Sequence, residues 1–165
     1  GGGSVGTAIF HAAIEAAQKI TNRRWRLLVG GSDAADRIRA LTAQADGADI
    51  TIEPTRPDFR HMLHLASASV SMCGYNTTLD LLQSGTPAVV IPFDEGNEVE
   101  QTLRATSLTH RPGIEVLPAR LLNPTSLAQA VEAALAAPRR LGSGLKGDGA
   151  ARTVTLTEQH IETNP

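Results

Sequence analysis

The sequence has little that marks a secreted or membrane-spanning protein. It contains a single cysteine, Cys73, among 165 residues, which excludes an internal disulfide framework and is typical of a reducing compartment. No apolar run reaches the roughly 20 residues that a transmembrane helix needs. We therefore predict a cytoplasmic protein without a transmembrane segment.

Excess charge and aromatic side chains are also scarce, and each scarcity excludes a class of partner. The formal net charge is −2, from 15 basic and 17 acidic residues, so we predict no nucleic-acid partner. Aromatic residues make up 3% of the chain, which leaves few surfaces for stacking. No cysteine and histidine residues have metal-ligand spacing, and we predict neither a metal site nor a resident cofactor.

What the sequence does contain is a regular alternation of short apolar segments with amphipathic ones. A hydrophobic fraction of 41% and a charged fraction of 19% are typical of a globular chain, and residues 1–165 are predicted to form one domain. The predicted strands lie near residues 25–29, 50–52, 68–72, 88–91 and 114–117. The predicted helices cover residues 7–20, 33–45, 58–65, 76–83, 97–107 and 126–136.

This order predicts an α/β fold with a Rossmann-like, doubly wound parallel sheet and helices on both faces. Strands that alternate with helices form right-handed βαβ units, which make parallel sheets. Ligands of such sheets bind beyond the carboxyl ends of the strands, at loops that lead into helices. Three loops of this kind contain the small and polar residues that suit a ligand.

The first loop is the glycine-rich stretch GGGSVG at residues 1–6, just before the first predicted helix. Free N–H groups and the positive end of the helix dipole favour an anion at such a place. The stretch is neither a P-loop nor a G-x-G-x-x-G dinucleotide loop. By itself it fits a phosphate-binding loop and a plain tight turn equally well.

The second loop, CGYNTTLD at residues 73–80, lies between a predicted strand and a predicted helix. Gly74 permits close backbone approach, and Asn76 or Thr77 can cap the helix whose N–H groups face a phosphate. Asp80 could accept hydrogen bonds from a pair of ribose hydroxyls. The structural alternative is a helix cap by Asn76 and a carboxylate that stabilises the helix dipole, and spacing alone does not separate the two.

The third loop, PFDEGNEVEQTLRA at residues 92–105, is rich in carboxylates. Most of them are expected to form a solvated helix start, and one or two could meet sugar hydroxyls. Cys73 is predicted to pack in the interior, because no histidine partner is evident for a catalytic thiol. His11, His61 and His64 fall in predicted helices and are assigned no chemistry.

The segments CGYNTTLD, SGTPAVVIPF and EQTLRA together resemble the donor-sugar-nucleotide signature of GT-B glycosyltransferases. They are similar to plant-type UDP-glycosyltransferases and to bacterial peptidoglycan N-acetylglucosaminyltransferases. The loop at residues 2–6 resembles the one that opens the C-terminal domain of this superfamily. The resemblance spans residues 1–137 and implies the donor-binding C-terminal half of a GT-B fold. Met72 replaces the histidine of the plant-type signature, which argues against a close plant-type relative.

The resemblance also implies roles for individual residues. The positions that would contact the donor diphosphate are Gly3, Ser4, Val5, Gly74, Asn76 and Thr77. Asp80 stands where the family has a glutamate that binds ribose, and its side chain is one methylene shorter. Glu100 and Gln101 correspond to the pair that binds donor-sugar hydroxyls. Thr55 and Phe59 are expected to lie beside the base.

The implied reaction is inverting transfer of a sugar from a nucleotide diphosphate sugar, taken as a UDP-sugar, to an acceptor hydroxyl. The acceptor site and the general base would belong to the protein's own N-terminal domain, so the isolated chain is expected to bind donor weakly and to transfer nothing. Two alternatives stay open. One is a nucleotide-sugar 2-epimerase or hydrolase of the same architecture, which needs no acceptor. The other is a non-catalytic nucleotide-sugar-binding module.

Overall fold

The structure is a computed structural model that describes residues 4–45, 47–93 and 100–141. The strands are β1 (Trp25–Val29), β2 (Ile50–Pro54), β3 (Ser69–Met72), β4 (Ala88–Ile91) and β5 (Ile114–Val116). The helices are α1 (Ser4–Lys19), α2 (Ala34–Gln44), α3 (Phe59–Leu65), α4 (Tyr75–Ser84), α5 (Glu100–Leu108) and α6 (Pro124–Ala136). All the strands and helices predicted from the sequence are present, and within these ranges no helix is long and apolar enough to cross a membrane.

Three helices begin earlier than the sequence predicts: α6 begins at Pro124, and the differences in α1 and α4 affect candidate ligand loops. α1 begins at Ser4, so Ser4 belongs to the first turn of the helix and not to a loop before it. α4 begins at Tyr75 with Gly74 as its N-cap. The prediction that Asn76 or Thr77 caps α4 is therefore wrong, because both lie inside the first helical turn.

The strands pair in parallel, in two ladders. β1 pairs with β2, and β4 lies between β3 and β5. All the residues of β4 are buried, whereas those of β3 are half-buried.

Helices cover both faces of this sheet. Val89 and Ile91 of β4 belong to a first core that they share with residues of α1, α2 and α6. Ala88 and Val90 belong to a second core with residues of α3, α4 and α5. Successive side chains of a strand point to opposite faces, so the two cores lie on opposite sides of the sheet. The predicted doubly wound α/β fold is confirmed.

The direction in which the sheet is wound follows from these faces. Right-handed crossovers that pass over opposite faces of a sheet advance in opposite directions. The connection from β1 to β2 passes through α2 on the first face, and those from β2 through to β5 pass through α3, α4 and α5 on the second. β1 and β3 are therefore the inner edges of the two ladders, and the winding reverses between them.

Candidate functional site

The carboxyl ends of the strands bring several chain segments to one end of the sheet, which we call the carboxyl edge. α1 leads into β1 and so begins at this edge. Its position is fixed by Arg37 of α2, which donates to Thr7 Oγ1 at 3.5 Å and to the Gly30 carbonyl at 3.2 Å. The first turns of α1 and α4 therefore lie at the same end of the sheet, on either side of the reversal in winding, where doubly wound folds bind their ligands.

The N-terminus of α4 is open. Gly74 adopts φ −67° and ψ 151°, a conformation that any residue can adopt, and a Cβ placed on it would meet no atom of the described residues beyond its chain neighbours within 4 Å. The first hydrogen bond of α4 runs from the Thr78 N–H to the Gly74 carbonyl, at 2.9 Å. The N–H groups of Tyr75, Asn76 and Thr77 precede that first helical bond and have no intrahelical acceptor. They form a short row of donors at the positive end of the helix dipole.

Arg104 of α5, which the sequence analysis did not single out, holds this turn in place. Its Nη1 donates to the Cys73 carbonyl at 2.7 Å, and its guanidinium lies 5.6 Å from the centre of the Tyr75 ring. The same guanidinium pairs with the Glu100 carboxylate one turn earlier in α5. Because the Arg104 side chain is only 15% exposed, its charge is poorly screened by water and lies close to the α4 N-terminus.

A second α5 side chain completes the end of the β3–β4 ladder. The register of the two strands would next join Phe93 N–H to the Cys73 carbonyl. Instead, Phe93 N–H donates to Gln101 Oε1 at 3.1 Å, and the Cys73 carbonyl accepts from Arg104. The Phe93 N–H and the Cys73 carbonyl therefore each bond to a side chain of α5 and not to each other. The pairing of β3 with β4 ends at Met72, the residue before Cys73.

This arrangement places the predicted sugar-binding pair beside the α4 N-terminus. The Glu100 side chain is 75% exposed, and its Oε1 pairs with Arg104. The Gln101 carbonyl oxygen accepts from Phe93 N–H, and its amide NH₂ group donates to no acceptor in the part of the chain that the structure describes.

Asp80 lies further along α4 and is held by α3. Its Oδ1 lies 2.9 Å from Nε of Arg60, and its side chain is 11% exposed while that of Arg60 is 77% exposed. The carboxylate is thus oriented by a cation that is itself largely in solvent. A ligand hydroxyl that reaches Asp80 would share it with Arg60 or displace Arg60.

The two residues predicted to flank a base lie at the two ends of the connection from β2 to α3. Thr55 follows β2, donates its N–H to the Val29 carbonyl at 3.1 Å, and places its methyl group against Gly30. Phe59 begins α3 and packs against the second core. Thr55 is therefore a neighbour of the β1 loop, and the ring of Phe59 is partly committed to packing.

The remaining predicted diphosphate contacts belong to the first glycine-rich stretch. Ser4 and Val5 lie in the first turn of α1 at the carboxyl edge, and Gly3 lies outside the described residues. Their predicted role stays a prediction.

Cys73 is part of the second core and is fully buried, as the sequence predicts. Its Sγ lies 3.7 Å from Thr78 Oγ1. Burial raises the pKa of the Cys73 thiol above its ordinary value, and the hydroxyl of Thr78 and the charge of Arg104 act in the opposite direction. The described part of the chain contains no cluster of three or more side chains that could hold a metal ion.

Comparison with known proteins gives one family. The model of the glycosyltransferase family 28 C-terminal domain matches residues 1–151. The curated relatives are named UDP-N-acetylglucosamine–N-acetylmuramyl-(pentapeptide) pyrophosphoryl-undecaprenol N-acetylglucosamine transferase. That from Brucella anthropi is 30% identical over 88% of this chain and 40% of its own length. That from Mesorhizobium japonicum is 27% identical over the same shares. The chain thus spans about two fifths of these relatives.

A solved structure has the same fold. The crystal structure of MurG from Acinetobacter baumannii aligns with a TM-score of 0.68 at 17% sequence identity. The alignment covers 93% of this chain and 46% of the MurG chain.

Proposed function

The chain belongs to the family of glycosyltransferase family 28 C-terminal domains, and we propose that it is the donor-binding half of a transferase that uses UDP-N-acetylglucosamine. The sugar nucleotide is inferred from the names of the curated relatives. The observation that carries the proposal is the open N-terminus of α4, where a row of backbone donors meets empty space at Gly74. Such a terminus is suited to an anion.

We assign the donor diphosphate to this terminus. The N–H groups of Tyr75, Asn76 and Thr77 donate to phosphate oxygens, and the poorly screened charge of Arg104 adds to the positive potential. Ser4 and Val5 approach the same diphosphate from the first turn of α1, which begins at the same edge.

The nucleoside and the sugar then extend from the diphosphate in different directions. Asp80 binds the ribose hydroxyls through the oxygen that it does not use on Arg60. The amide of Gln101 and the largely exposed carboxylate of Glu100 bind hydroxyls of the sugar. Thr55 and Phe59 border the base.

In this role the chain stabilises the leaving group. When the acceptor hydroxyl attacks the anomeric carbon with inversion, the sugar–oxygen bond breaks and negative charge develops on the departing diphosphate. Donors already oriented at the α4 N-terminus stabilise that charge without reorganising. We assign the acceptor site and the general base to the rest of the full-length protein.

Gly74→Ala tests the proposal with little risk to the fold. The backbone angles suit alanine, and among the described residues the new methyl group meets no atom beyond its chain neighbours within 4 Å, so the melting temperature should stay unchanged. The methyl group would nevertheless occupy the space through which phosphate oxygens reach the backbone. Calorimetric titration of the full-length Gly74→Ala protein with UDP-N-acetylglucosamine, UDP and TDP should show an affinity at least tenfold lower than that of wild type, or about 1.4 kcal/mol.

Gly85→Ala is the matched control. Gly85 ends α4 with φ 67°, a conformation that favours glycine, so alanine there should lower stability and leave the affinity of the folded protein unchanged. Equal affinities for wild type and Gly74→Ala would contradict the proposed phosphate site. Conversion of the UDP-sugar without an acceptor would instead favour an epimerase or hydrolase.

A further inference from the structure

Arg37 of α2 repeats the contacts that Arg104 makes from α5. Arg104 donates to the carbonyl of Cys73, the first residue after β3. Arg37 donates to the carbonyl of Gly30, the first residue after β1, at 3.2 Å. Since the winding of the sheet reverses between β1 and β3, the two arginines hold corresponding strand ends on either side of the reversal.

Each arginine also faces an aromatic ring of a helix that begins at the carboxyl edge. The Arg37 guanidinium lies 5.4 Å from the centre of the Phe10 ring in α1. The Arg104 guanidinium lies 5.6 Å from the centre of the Tyr75 ring in α4. Arg37 Nη2 also donates to Thr7 Oγ1, in the first turn of α1, at 3.5 Å. One guanidinium thus fastens α1 to the end of β1, and the other fastens α4 to the end of β3.

The two guanidiniums have similar electrostatic surroundings. Each pairs with a carboxylate four residues earlier in the chain: Arg37 with Asp33 at 4.0 Å, and Arg104 with Glu100. Both carboxylates are largely exposed, whereas the Arg37 side chain is 17% exposed, close to the 15% of Arg104. Because water screens the exposed carboxylates more than the guanidiniums, a positive potential remains at both places.

We propose that Arg37 is a positioning residue for the diphosphate and makes the site selective for a nucleoside diphosphate over a monophosphate. This inference rests on the proposed function. Asp80 of α4 holds the ribose there, so the phosphate attached directly to the ribose lies at the α4 N-terminus, beside Arg104. The second phosphate lies towards the first turn of α1, which Arg37 holds in place and where the Arg37 charge attracts it.

Arg37→Gln tests the inference by calorimetric titration of the full-length protein with UDP and UMP. Glutamine removes the positive charge, so affinity for UDP should fall about tenfold, as expected for one weakly screened charge near a phosphate, while affinity for UMP changes less than about twofold. The ratio of the UDP affinity to the UMP affinity should therefore fall at least about fivefold. An unchanged ratio would overturn the proposal, because a merely structural residue affects both nucleotides alike.

Two matched variants separate the charge of Arg37 from its packing. Arg39→Gln removes an exposed charge from the same helix and should leave both affinities unchanged. Arg37→Lys keeps the charge but not the forked contacts to Gly30 and Thr7, so it should recover most of the UDP-to-UMP ratio even if the melting temperature falls. If Arg37→Lys loses as much of the ratio as Arg37→Gln, the charge does not select the diphosphate and the proposal is wrong.

Asp33→Asn keeps the test decisive if the Arg37 variants do not fold. Asp33 is the N-cap of α2 but makes no side-chain cap bond, so its substitution should leave the helix intact. Loss of this carboxylate removes the negative charge that offsets Arg37, and affinity for UDP should rise about twofold with no change for UMP. An unchanged or lower affinity for UDP would contradict the inference.

Failure of the proposed function gives a different result. If the wild-type protein binds UDP, Gly74→Ala weakens that binding and Arg37→Gln keeps the UDP-to-UMP ratio, the phosphate site at α4 stands and only the role of Arg37 is wrong. If the wild-type protein binds no UDP, both are wrong.

Discussion

Arg104 Nη1 donates to the Cys73 carbonyl at 2.7 Å, across 31 residues of sequence. This single contact ties α5 to the turn between β3 and α4. Together with the bond from Phe93 to Gln101, it ends the β3–β4 ladder next to Gly74. α5 therefore determines how α4 presents its first N–H groups, so under the proposed function residues that need not touch the donor would contribute to its binding.

Substitution of Arg104 should weaken both the fold and donor binding. Arg104→Ala leaves the Cys73 carbonyl without its charged partner, which costs about 1.5–3 kcal/mol of unfolding free energy. It also removes the positive charge near the diphosphate, so affinity for UDP should fall about tenfold, or 1.4 kcal/mol.

Denaturant unfolding and calorimetric titration measure the two effects of Arg104→Ala. Arg39→Ala, which removes an exposed pair with Asp36 in α2, is the control and should change neither quantity. Arg104→Lys should recover the charge but not the forked contact to both Cys73 and Glu100. If it binds donor as weakly as Arg104→Ala, geometry outweighs charge.

Variants of Asp80 and Arg60 should show whether the Asp80 carboxylate binds the ligand or only supports the fold. Asp80→Asn removes the carboxylate and should lower the affinity for UDP about tenfold, or 1.4 kcal/mol, with a smaller effect on inorganic pyrophosphate, which has no ribose. Arg60→Ala frees the carboxylate from its partner at 2.9 Å and should leave UDP affinity equal or higher. If both variants lose only stability and bind UDP normally, the pair merely fastens α3 to α4.

Much of the fold follows from local patterns in the sequence. β1 and β4 lie at the residues predicted for them, because each is an apolar run bounded by turn residues: Gly30 and Gly31 follow β1, and Pro87 precedes β4. The start of α4 was predicted incorrectly because Asn and Thr are frequent helix caps. Here the extended backbone at Gly74 begins the helix without any side-chain cap.

The partners of the site residues could not be predicted in the same way. Arg104 and Cys73 are 31 positions apart, and the pair of Asp80 with Arg60 joins two helices. Such contacts depend on how the helices pack on the sheet. The hydrophobic periodicity within one helix or strand carries no information about that packing. The resemblance identified Glu100 and Gln101 as a pair, but only the packing of α5 shows that Gln101 also terminates a strand ladder.

Thr86 is expected to be a main support of the second core. It is fully buried, its hydroxyl donates to the Leu63 carbonyl at 2.6 Å, and it accepts from Arg139 at 2.9 Å. Thr86→Val keeps the shape but removes the donor to the Leu63 carbonyl, which should lower the unfolding free energy by about 1–3 kcal/mol. Arg139 loses one acceptor and keeps the His64 carbonyl, to which its Nη2 donates at 2.6 Å. Thr109→Val is the control, because that hydroxyl is exposed and bonds only within its own turn. Equal losses in the two variants would contradict the argument.

Cys73 should make the stability of the protein depend on pH under alkaline conditions. Burial raises the pKa of its thiol, so above the ordinary thiol value of about 8.5 the unfolded chain loses this proton while the native state keeps it. The native state then binds more protons, and the unfolding free energy falls as pH rises, by at most about 1.4 kcal/mol per pH unit. Below the ordinary value both states are protonated, and the contribution is constant.

The measurement is urea unfolding of wild type and Cys73→Ala between about pH 7.5 and 9.5, on either side of the ordinary thiol pKa. Alanine leaves a small cavity and lowers stability at every pH, but it has no proton to lose. The difference in unfolding free energy between the two proteins should therefore narrow as the pH rises, and other titrating groups cancel in that difference. Tyr75→Phe removes an exposed phenol near the same turn. Its unfolding free energy should differ from that of wild type by a constant amount over this pH range. A constant difference between wild type and Cys73→Ala would mean that the native thiol ionises as readily as the unfolded one.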